Sequence, residues 1–159
     1  FFARHGIRVT AVDQSIKEID NLTKENSLAT LAFMAADFTK LEDDQPYHAV
    51  YSRFTLHSIS EPQEDSVIAW AHRNLLPGGK FLIEARGQKN ELYKEGAPVP
   101  NDPHAYIYND HYRRFIDLNA FSGKLVNVGF KIMLAEEKAG FAPFQDTDHH
   151  FIRLIASKS

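Results

Sequence analysis

The sequence predicts an α/β fold with a mostly parallel sheet between two layers of helices. Short apolar runs alternate with amphipathic stretches of helical period along most of the 159 residues. The predicted order is strand, helix, strand, strand, helix, strand, a long irregular segment, helix, strand and strand. Only a polar loop separates the last two strands, so we expect them to form an antiparallel pair.

The composition fits one globular domain over residues 1–159. Hydrophobic residues make up 43% of the chain and charged residues 25%. The formal net charge of −3 gives no electrostatic reason to expect a nucleic acid partner. No apolar run approaches the roughly 20 residues that span a bilayer, and no signal peptide is evident, so we expect a cytoplasmic protein without membrane partners. The absence of cysteine excludes a thiol nucleophile and a thiolate metal site.

The first strand and helix place an acid where α/β proteins bind ligands. The apolar residues of segment 7–12 predict a strand buried on both faces. Ser15 to Glu18 has capping-box spacing, with Glu18 reaching back to the Ser15 amide, and predicts a helix to about Asn26. Asp13 therefore lies at the carboxyl end of a parallel strand, where a carboxylate can accept two hydrogen bonds from a ribose diol.

The hydrophobic periodicities of strands and helices also predict the remaining elements. Strands are expected at 31–35, 48–54, 80–86, 130–136 and 151–156, and helices at 65–76 and 117–128. Pro77-Gly78-Gly79 is expected to end the second helix and turn the chain. Residues 87–116 contain three prolines and a tyrosine cluster and break the pattern, which predicts a substrate-side insertion or lid.

Four motifs carry a resemblance to a known family. They are Val9–Ser15, Ala36–Phe38, Ala49–His57 and Leu75–Ile83, in this order along the chain. Together they resemble class I S-adenosylmethionine-dependent methyltransferases, and the resemblance extends over essentially the whole chain. It implies a Rossmann-like sheet that ends in a reversed strand, S-adenosylmethionine as the cofactor and methyl transfer as the activity.

The resemblance assigns cofactor contacts to the ends of three strands. Asp13 matches the acid that binds the ribose hydroxyls, and Gln14 would lie beside the adenine. Asp37 matches the acceptor for the adenine exocyclic amine, with the Phe38 amide nearby. The residues that match the segment around the methionine side and the reacting centre are Ser52, Arg53 and Phe54. Two alternatives stay open: Asp13 as a helix cap for Ser15, and Asp37 as an ordinary turn aspartate.

One feature of that family is not in the sequence. The glycine-rich loop of these enzymes follows a strand that would precede Phe1. In this family that strand is central, next to the strand at Val9 and the strand at Val50, so we expect two sheet pieces with unpaired inner edges. The sequence is therefore expected to be a fragment of a longer chain, or to be completed by another segment or by a partner, including a second copy.

Methyl transfer to a hydroxyl or amine also requires removal of a proton, for which histidine is well suited. His57, after the third strand, and His111, in the aromatic cluster 106–115, are the candidate catalytic bases. The alternatives are a supporting role for His57 and a surface segment at 106–115. The candidate acceptor-binding residues of that cluster are Tyr108, Tyr112, Arg113 and Arg114. His149 and His150 do not predict a metal site, because adjacent residues of an extended stretch point to opposite faces, and no metal is expected.

The sequence therefore favours a methyltransferase that uses S-adenosylmethionine and acts on an oxygen or nitrogen atom of a small molecule. Two other functions stay open. One is a non-catalytic or partner-dependent domain on the same scaffold, and the other is a nicotinamide-dependent oxidoreductase. The oxidoreductase is disfavoured by the closing antiparallel pair and by the lack of a recognisable hydride-transfer signature.

Overall fold

The computed structural model describes residues 1–42 and 44–159, and the chain forms two compact units. One unit covers Phe1–Asp43 and the other covers Asp44–Ser159. The prediction of one domain over the whole chain stays a prediction. Within the described residues, no helix is both long and apolar enough to cross a membrane.

The first unit is a two-stranded parallel sheet with one helix. Strand β1 (Val9–Asp13) pairs with β2 (Leu31–Ala35), and helix α1 (Ile16–Glu25) joins the two strands. The register places Asp13 opposite Ala35 at the carboxyl ends of both strands. Short 3-10 turns lie at Phe2–His5 and Phe38–Lys40.

Helix α1 begins where the sequence predicts, but its first hydrogen bonds differ. The Ser15 hydroxyl accepts from the Glu18 amide at 3.3 Å, as expected of a helix cap. The Ser15 amide donates to Asp13 Oδ1 at 2.8 Å, and not to the Glu18 side chain as predicted. Asp13 therefore accepts the hydrogen bond from the Ser15 amide that was expected to go to Glu18.

The prediction that the first strand is buried on both faces is wrong. No residue of β1 or β2 is fully buried, and Ile7, which precedes β1, is 53% exposed. A unit with one helix can cover only one face of its two strands. Of the apolar residues in α1, Ile19 is the buried one.

The second unit carries most of the secondary structure. Its strands are β3 (Tyr47–Arg53), β4 (Leu75–Ala85), β5 (Ala97–Pro98), β6 (Ala105–Tyr108), β7 (His111–Arg114), β8 (Phe130–Lys138) and β9 (Phe151–Lys158). Its helices are α2 (Glu61–Asn74) and α3 (Leu118–Val128). The main sheet has the order β3-β4-β9-β8, with β3 parallel to β4 and the other pairs antiparallel. The α/β class and the reversed terminal strands are thus confirmed.

In the part of the chain that the structure describes, strands β1 and β3 each have a neighbouring strand on one side only. Within the described residues, β1 pairs with β2 alone and β3 pairs with β4 alone. The expectation of two separate sheet pieces with unpaired edges is therefore met. The amides and carbonyls along such edges are not satisfied by a neighbouring strand.

The ends of α2 differ from the prediction. The helix begins at Glu61 and not at Asp65, because Gln63 Oε1 accepts from the Ser60 amide at 2.9 Å and Pro62 fits the first turn. At the other end, β4 begins directly at Leu75. The glycine turn therefore lies inside β4, as an irregularity in its pairing with β3, where Gly78 has φ +76°.

Segment 87–116 is not wholly irregular as predicted, because its residues 97–114 contain a small antiparallel sheet. Strands β5, β6 and β7 follow each other in space as they do in sequence. Tyr93, Tyr106 and Phe115 pack together with ring centroids 5.4–6.1 Å apart, and Phe115 is 1% exposed. The segment is therefore anchored by its own aromatic core.

Candidate functional site

Asp13 is the last residue of β1, and one of its two carboxylate oxygens accepts a hydrogen bond. Its Oδ1 accepts from the Ser15 amide at 2.8 Å, so the predicted capping alternative is present in the structure. Its backbone carbonyl accepts from the Ala36 amide at 3.0 Å and ties the ends of β1 and β2 together. The side chain is exposed, and Oδ2 makes no hydrogen bond within the described residues. Gln14 is exposed beside it.

Asp37 lies two residues beyond β2 and caps the 3-10 turn at Phe38–Lys40. Its Oδ1 accepts from the Thr39 hydroxyl at 2.7 Å and from the Thr39 amide at 3.0 Å, and its Oδ2 lies 3.2 Å from Lys40 Nζ. The Thr39 hydroxyl, followed by the Thr39 amide and Lys40, holds the pKa of Asp37 below its usual value. Asp37 is thus an ionised turn residue at the same end of the sheet as Asp13, and Phe38 beside it is half-buried.

The segment after β3 keeps the predicted residues Ser52, Arg53 and Phe54 together. Ser52 is buried, with its Oγ 2.6 Å from Thr55 Oγ1. The Arg53 guanidinium lies over the Phe54 ring, 4.4 Å from its centroid. Phe54 has φ +58°, a left-handed conformation that is costly for a bulky residue and is concentrated at functional sites.

A buried carboxylate on the neighbouring strand organises this segment. Glu84 of β4 is 7% exposed and accepts from Arg53 Nε at 3.1 Å, and from Arg153 at 2.7 and 3.0 Å. Its backbone carbonyl accepts from the Phe54 amide at 2.8 Å. Glu84 was not predicted from the sequence, although an acid inside the apolar run 81–85 is a signal, because a buried charge needs partners.

A pocket of about 450 Å³ opens beside these residues. Its lining comes from the ends of β3 and β4, the start of β9 and the loop between β8 and β9. The lining residues are Arg53, Phe54, Arg86, Ala142, Pro143, Phe144, Thr147, His149 and Phe151. The loop between β8 and β9 was not predicted to line the site, although Phe144 is an unusual residue for a polar connection.

Arg86 follows β4 and projects a half-buried guanidinium into the lining of this pocket. Its Nη1 donates to Asn90 Oδ1 at 2.9 Å, and its guanidinium lies 5.1 Å from the centroid of the Phe151 ring. Its Nε is buried and has no hydrogen-bond partner within the described residues. Burial, together with the nearby charge of Arg113, lowers the pKa of Arg86.

His57 is positioned to stay neutral. It is 7% exposed, and its Nδ1 accepts from the Arg86 amide at 3.3 Å, which leaves the ring proton on Nε2. Burial, followed by the charges of Arg86, Arg113 and Arg114, lowers the pKa of His57 to about 3. This position does not suit the predicted role of general base, because an imidazole with so low a pKa is a weak proton acceptor.

Arg114 is not at the surface, where the predicted acceptor-binding role requires it. The residue is 7% exposed and forms an ion pair with the buried carboxylate of Glu64. It also donates to the carbonyls of Ile59 at 3.1 Å and Leu56 at 3.5 Å. Arg114 therefore joins β7 to the start of α2 and has a structural position.

The other predicted residues of the small sheet are more accessible. His111 is exposed and pairs with Tyr108 at the tip of the β6–β7 hairpin. Arg113 donates to the Tyr108 carbonyl at 3.2 Å and lies 5.4 Å from the centroid of the Tyr108 ring. The Tyr112 hydroxyl donates to Asp102 Oδ2 at 2.6 Å, and burial, followed by Asp102, raises the pKa of Tyr112.

The two adjacent histidines converge on one carboxylate. Glu91 lies 2.9 Å from His149 Nδ1 and 2.6 Å from His150 Nδ1. Burial opposes ionisation, but the hydrogen bonds from His150 and His149 outweigh it and lower the pKa of Glu91 to about 2. In residues 1–42 and 44–159, no group of three or more acidic, histidine or cysteine side chains is arranged to hold a metal ion.

The comparisons with known proteins point to one family. A family model described as a methyltransferase domain matches residues 1–79. No curated protein sequence matches the chain.

Solved structures with the same fold include S-adenosylmethionine-dependent methyltransferases. One from Methanosarcina mazei is 16% identical, with a TM-score of 0.81 over 98% of this chain and 84% of its own. The 1,6-didemethyltoxoflavin N1-methyltransferase of Burkholderia thailandensis, solved with S-adenosylhomocysteine, is 19% identical, with a TM-score of 0.71 over 99% and 64% of the two chains. A glycopeptide N-methyltransferase in complex with S-adenosylmethionine is 16% identical, with a TM-score of 0.72 over 99% and 80%. At these identities the likeness shows the fold alone.

Proposed function

The chain belongs to the class I S-adenosylmethionine-dependent methyltransferase family, and on this premise we propose that it transfers a methyl group to an oxygen or nitrogen atom of a small molecule. The observation that carries the proposal is Asp13. Its exposed carboxylate ends a parallel strand and keeps one oxygen without a hydrogen bond in the described residues. A ribose hydroxyl supplies the donor that this oxygen lacks.

The proposed cofactor contacts follow from the positions of the side chains within each unit. In the first unit, Asp13 binds the ribose hydroxyls and Gln14 lies beside the adenine. Asp37 accepts from the adenine amine once its ion pair with the exposed Lys40 ammonium breaks, and the Phe38 amide lies nearby. In the second unit, the residues assigned to the methionine side and the reacting centre are Ser52, Arg53 and Phe54.

Methyl transfer requires that the protein position the cofactor and the acceptor and exclude water from the reacting atoms. When bound, S-adenosylmethionine supplies an electrophilic methyl group on a sulfonium sulfur. The rings of Phe54 and Phe151, 5.0 Å apart, form one apolar wall of the pocket. The neutral His57 holds the Arg86 amide in place and keeps its proton on Nε2. His111 is the remaining candidate for removing a proton from the acceptor.

The acceptor class is supported by the named relatives and by the size of the pocket. The two N-methyltransferases among the structural relatives are named for 1,6-didemethyltoxoflavin and for a glycopeptide. A volume of about 450 Å³ lies within the range typical of small-molecule sites. Tyr108, Tyr112 and Arg113 are proposed as further acceptor contacts from the small sheet.

Calorimetric titration of the full-length protein with S-adenosylhomocysteine tests the proposal. We expect Asp13→Asn to weaken binding by about 1–3 kcal/mol, because the neutral amide still caps Ser15 but accepts less strongly from a hydroxyl pair. Asp20→Asn is the matched control, since Asp20 is an exposed acid of α1 in the same unit. An unchanged dissociation constant for Asp13→Asn removes that residue from the site.

The same titration separates the rival functions. Binding of S-adenosylhomocysteine without binding of NAD is the expected result. Binding of NAD alone identifies a nicotinamide-dependent oxidoreductase. Binding of neither favours a non-catalytic or partner-dependent domain.

A further inference from the structure

We propose that the pocket beside Arg86 binds the acceptor by an anionic group, and that the acceptor is an aromatic carboxylate or a molecule of similar shape and charge. The proposal rests on the function proposed above and names the substrate class of that site. Arg86 contacts the anionic group, and the rings of Phe54 and Phe151 contact the planar apolar body.

Arg86 differs from the other arginines near the pocket, Arg53 and Arg153, because those two form ion pairs with Glu84. Arg53 and Arg153 share the single carboxylate of Glu84, so that group already carries one excess positive charge. Arg86 forms no ion pair within the described residues, and its one hydrogen bond from the side chain goes to the neutral amide of Asn90. The charge of Arg113 acts on Arg86 as well. An anion in the pocket is therefore attracted by several cations at once.

The acid whose charge acts favourably on Arg86 is occupied elsewhere. Glu91 accepts from His149 Nδ1 and His150 Nδ1 and from the His150 amide at 3.0 Å. Arg86 Nε, in contrast, is buried without a partner. A buried N–H without a partner is costly, and a carboxylate satisfies two N–H groups of a guanidinium at once. The guanidinium therefore has donor capacity that no group of the described residues uses, and its place in the pocket lining points to a ligand.

Arg86 is held in one position before any ligand arrives. Asn90 is 3% exposed, and its Nδ2 donates to the His150 carbonyl at 2.6 Å while its Oδ1 accepts from Arg86. The guanidinium is also held against Phe151, 5.1 Å from the ring centroid. A cation fixed by its surroundings loses little entropy when it binds an anion.

The rest of the lining suits a planar apolar body. The rings of Phe54 and Phe151 lie 5.0 Å apart, and Phe144 in the loop between β8 and β9 is 70% exposed. Aromatic side chains at these spacings favour stacked or edge contacts with a further ring. The pocket, at about 450 Å³, has room for two fused rings.

The methionine carboxylate of the cofactor is a second source of the same chemistry, and the experiment must separate the two. We use 2-naphthoate as the probe and 2-naphthamide as its neutral counterpart of equal size. Their affinities are measured by titration of the wild-type protein, of Arg86→Gln and of Arg73→Gln. Arg73 is an exposed arginine of α2 that pairs with Asp44, so its substitution removes the same charge away from the pocket. S-adenosylhomocysteine is titrated into each protein in parallel.

We expect the wild-type protein to bind 2-naphthoate at least about tenfold more tightly than 2-naphthamide. Arg86→Gln should abolish this preference and leave the affinity for S-adenosylhomocysteine unchanged, and Arg73→Gln should change neither. Arg86→Lys, which keeps the charge but not the planar fork, should retain part of the preference.

Two results overturn the proposal. One is equal affinity of the wild-type protein for the two probes, which decides the question even if Arg86→Gln does not fold. The other is a loss of S-adenosylhomocysteine affinity in Arg86→Gln as large as the loss for 2-naphthoate, which assigns the arginine to the cofactor. A wild-type protein that selects 2-naphthoate but does not bind S-adenosylhomocysteine refutes the proposed function and leaves the anion pocket standing.

Discussion

The burial of His57 makes the stability of the chain depend on pH. Burial and three arginines lower the pKa of this histidine from 6.5 to about 3 in the folded state. Between these values the unfolded chain binds a proton that the folded chain does not. Stability is therefore fully present above about pH 6.5 and is lost as the pH falls towards 3, by a few kcal/mol in total.

His57→Asn tests this dependence, because the asparagine Oδ1 can replace Nδ1 as the acceptor for the Arg86 amide. We expect the variant to lose less stability than the wild-type protein between about pH 7 and about pH 4.5, as measured by urea unfolding at both values. His48→Asn, at an exposed position in β3, should behave like the wild-type protein. Equal losses in all three proteins would show that His57 takes up a proton in the folded state.

The different burial of Arg113 and Arg114 could not be predicted from the sequence around them. Both were expected to bind the acceptor, but consecutive residues of a strand point to opposite faces. Arg113 remains half-exposed in β7, and Arg114 is buried against Glu64. Which of the two faces inward depends on the packing of α2, and residues about 50 positions away in the sequence decide that.

At the scale of elements, the ion pair between Arg114 and Glu64 joins the small sheet to α2. Removing one partner leaves a buried charge, so we expect Arg114→Met to lower the free energy of unfolding by about 3 kcal/mol. The loss stays at the lower end of the usual range because Lys124 Nζ, 2.9 Å from Glu64 Oε1, still pairs with that acid. Urea unfolding measures the change.

Two further variants complete this test. Arg113→Met, at the half-exposed neighbouring position, should cost less than about 1 kcal/mol. The double variant Arg114→Met with Glu64→Gln should recover part of the loss, because the uncompensated charge is gone. If Arg114→Met instead leaves stability intact and weakens acceptor binding, the structural position assigned to Arg114 is wrong.

Elements with strong local signals were predicted, and elements without them were not. Helix α3 (Leu118–Val128) lies where the sequence predicts, capped by Asp117 at its start and by Gly129, with φ +110°, at its end. The hairpin of β6 and β7 was missed because strands of four residues carry little periodic pattern. The turn did carry a sequence signal, because Asn109 and Asp110 are residue types that favour two-residue hairpin turns. Both residues have positive φ, as such a turn requires.

At the scale of the whole molecule, apolar burial is uneven. Within the described residues, Ala3 and Ile19 are the buried apolar residues of the first unit, and all other buried apolar residues belong to the second unit. Sequence periodicity predicted the strands of the first unit but not their exposure, because burial depends on what covers each face. The candidate site shares this limit: the strand ends were predicted, whereas Glu84 and the β8–β9 loop depend on long-range pairing.

This uneven burial predicts where the molecule opens first. The free energy of local opening follows the buried apolar surface of an element, so the amides of β1 and β2 should exchange with deuterium at least about a hundredfold faster than those of β4 and β9. Hydrogen exchange followed by mass spectrometry measures the difference, and equal protection would show that the first unit is held by more than its own core. With S-adenosylhomocysteine present, protection should rise at 9–13 and 31–37 and stay constant in β9, because a ligand held by Asp13 and Asp37 stabilises the segments that carry them.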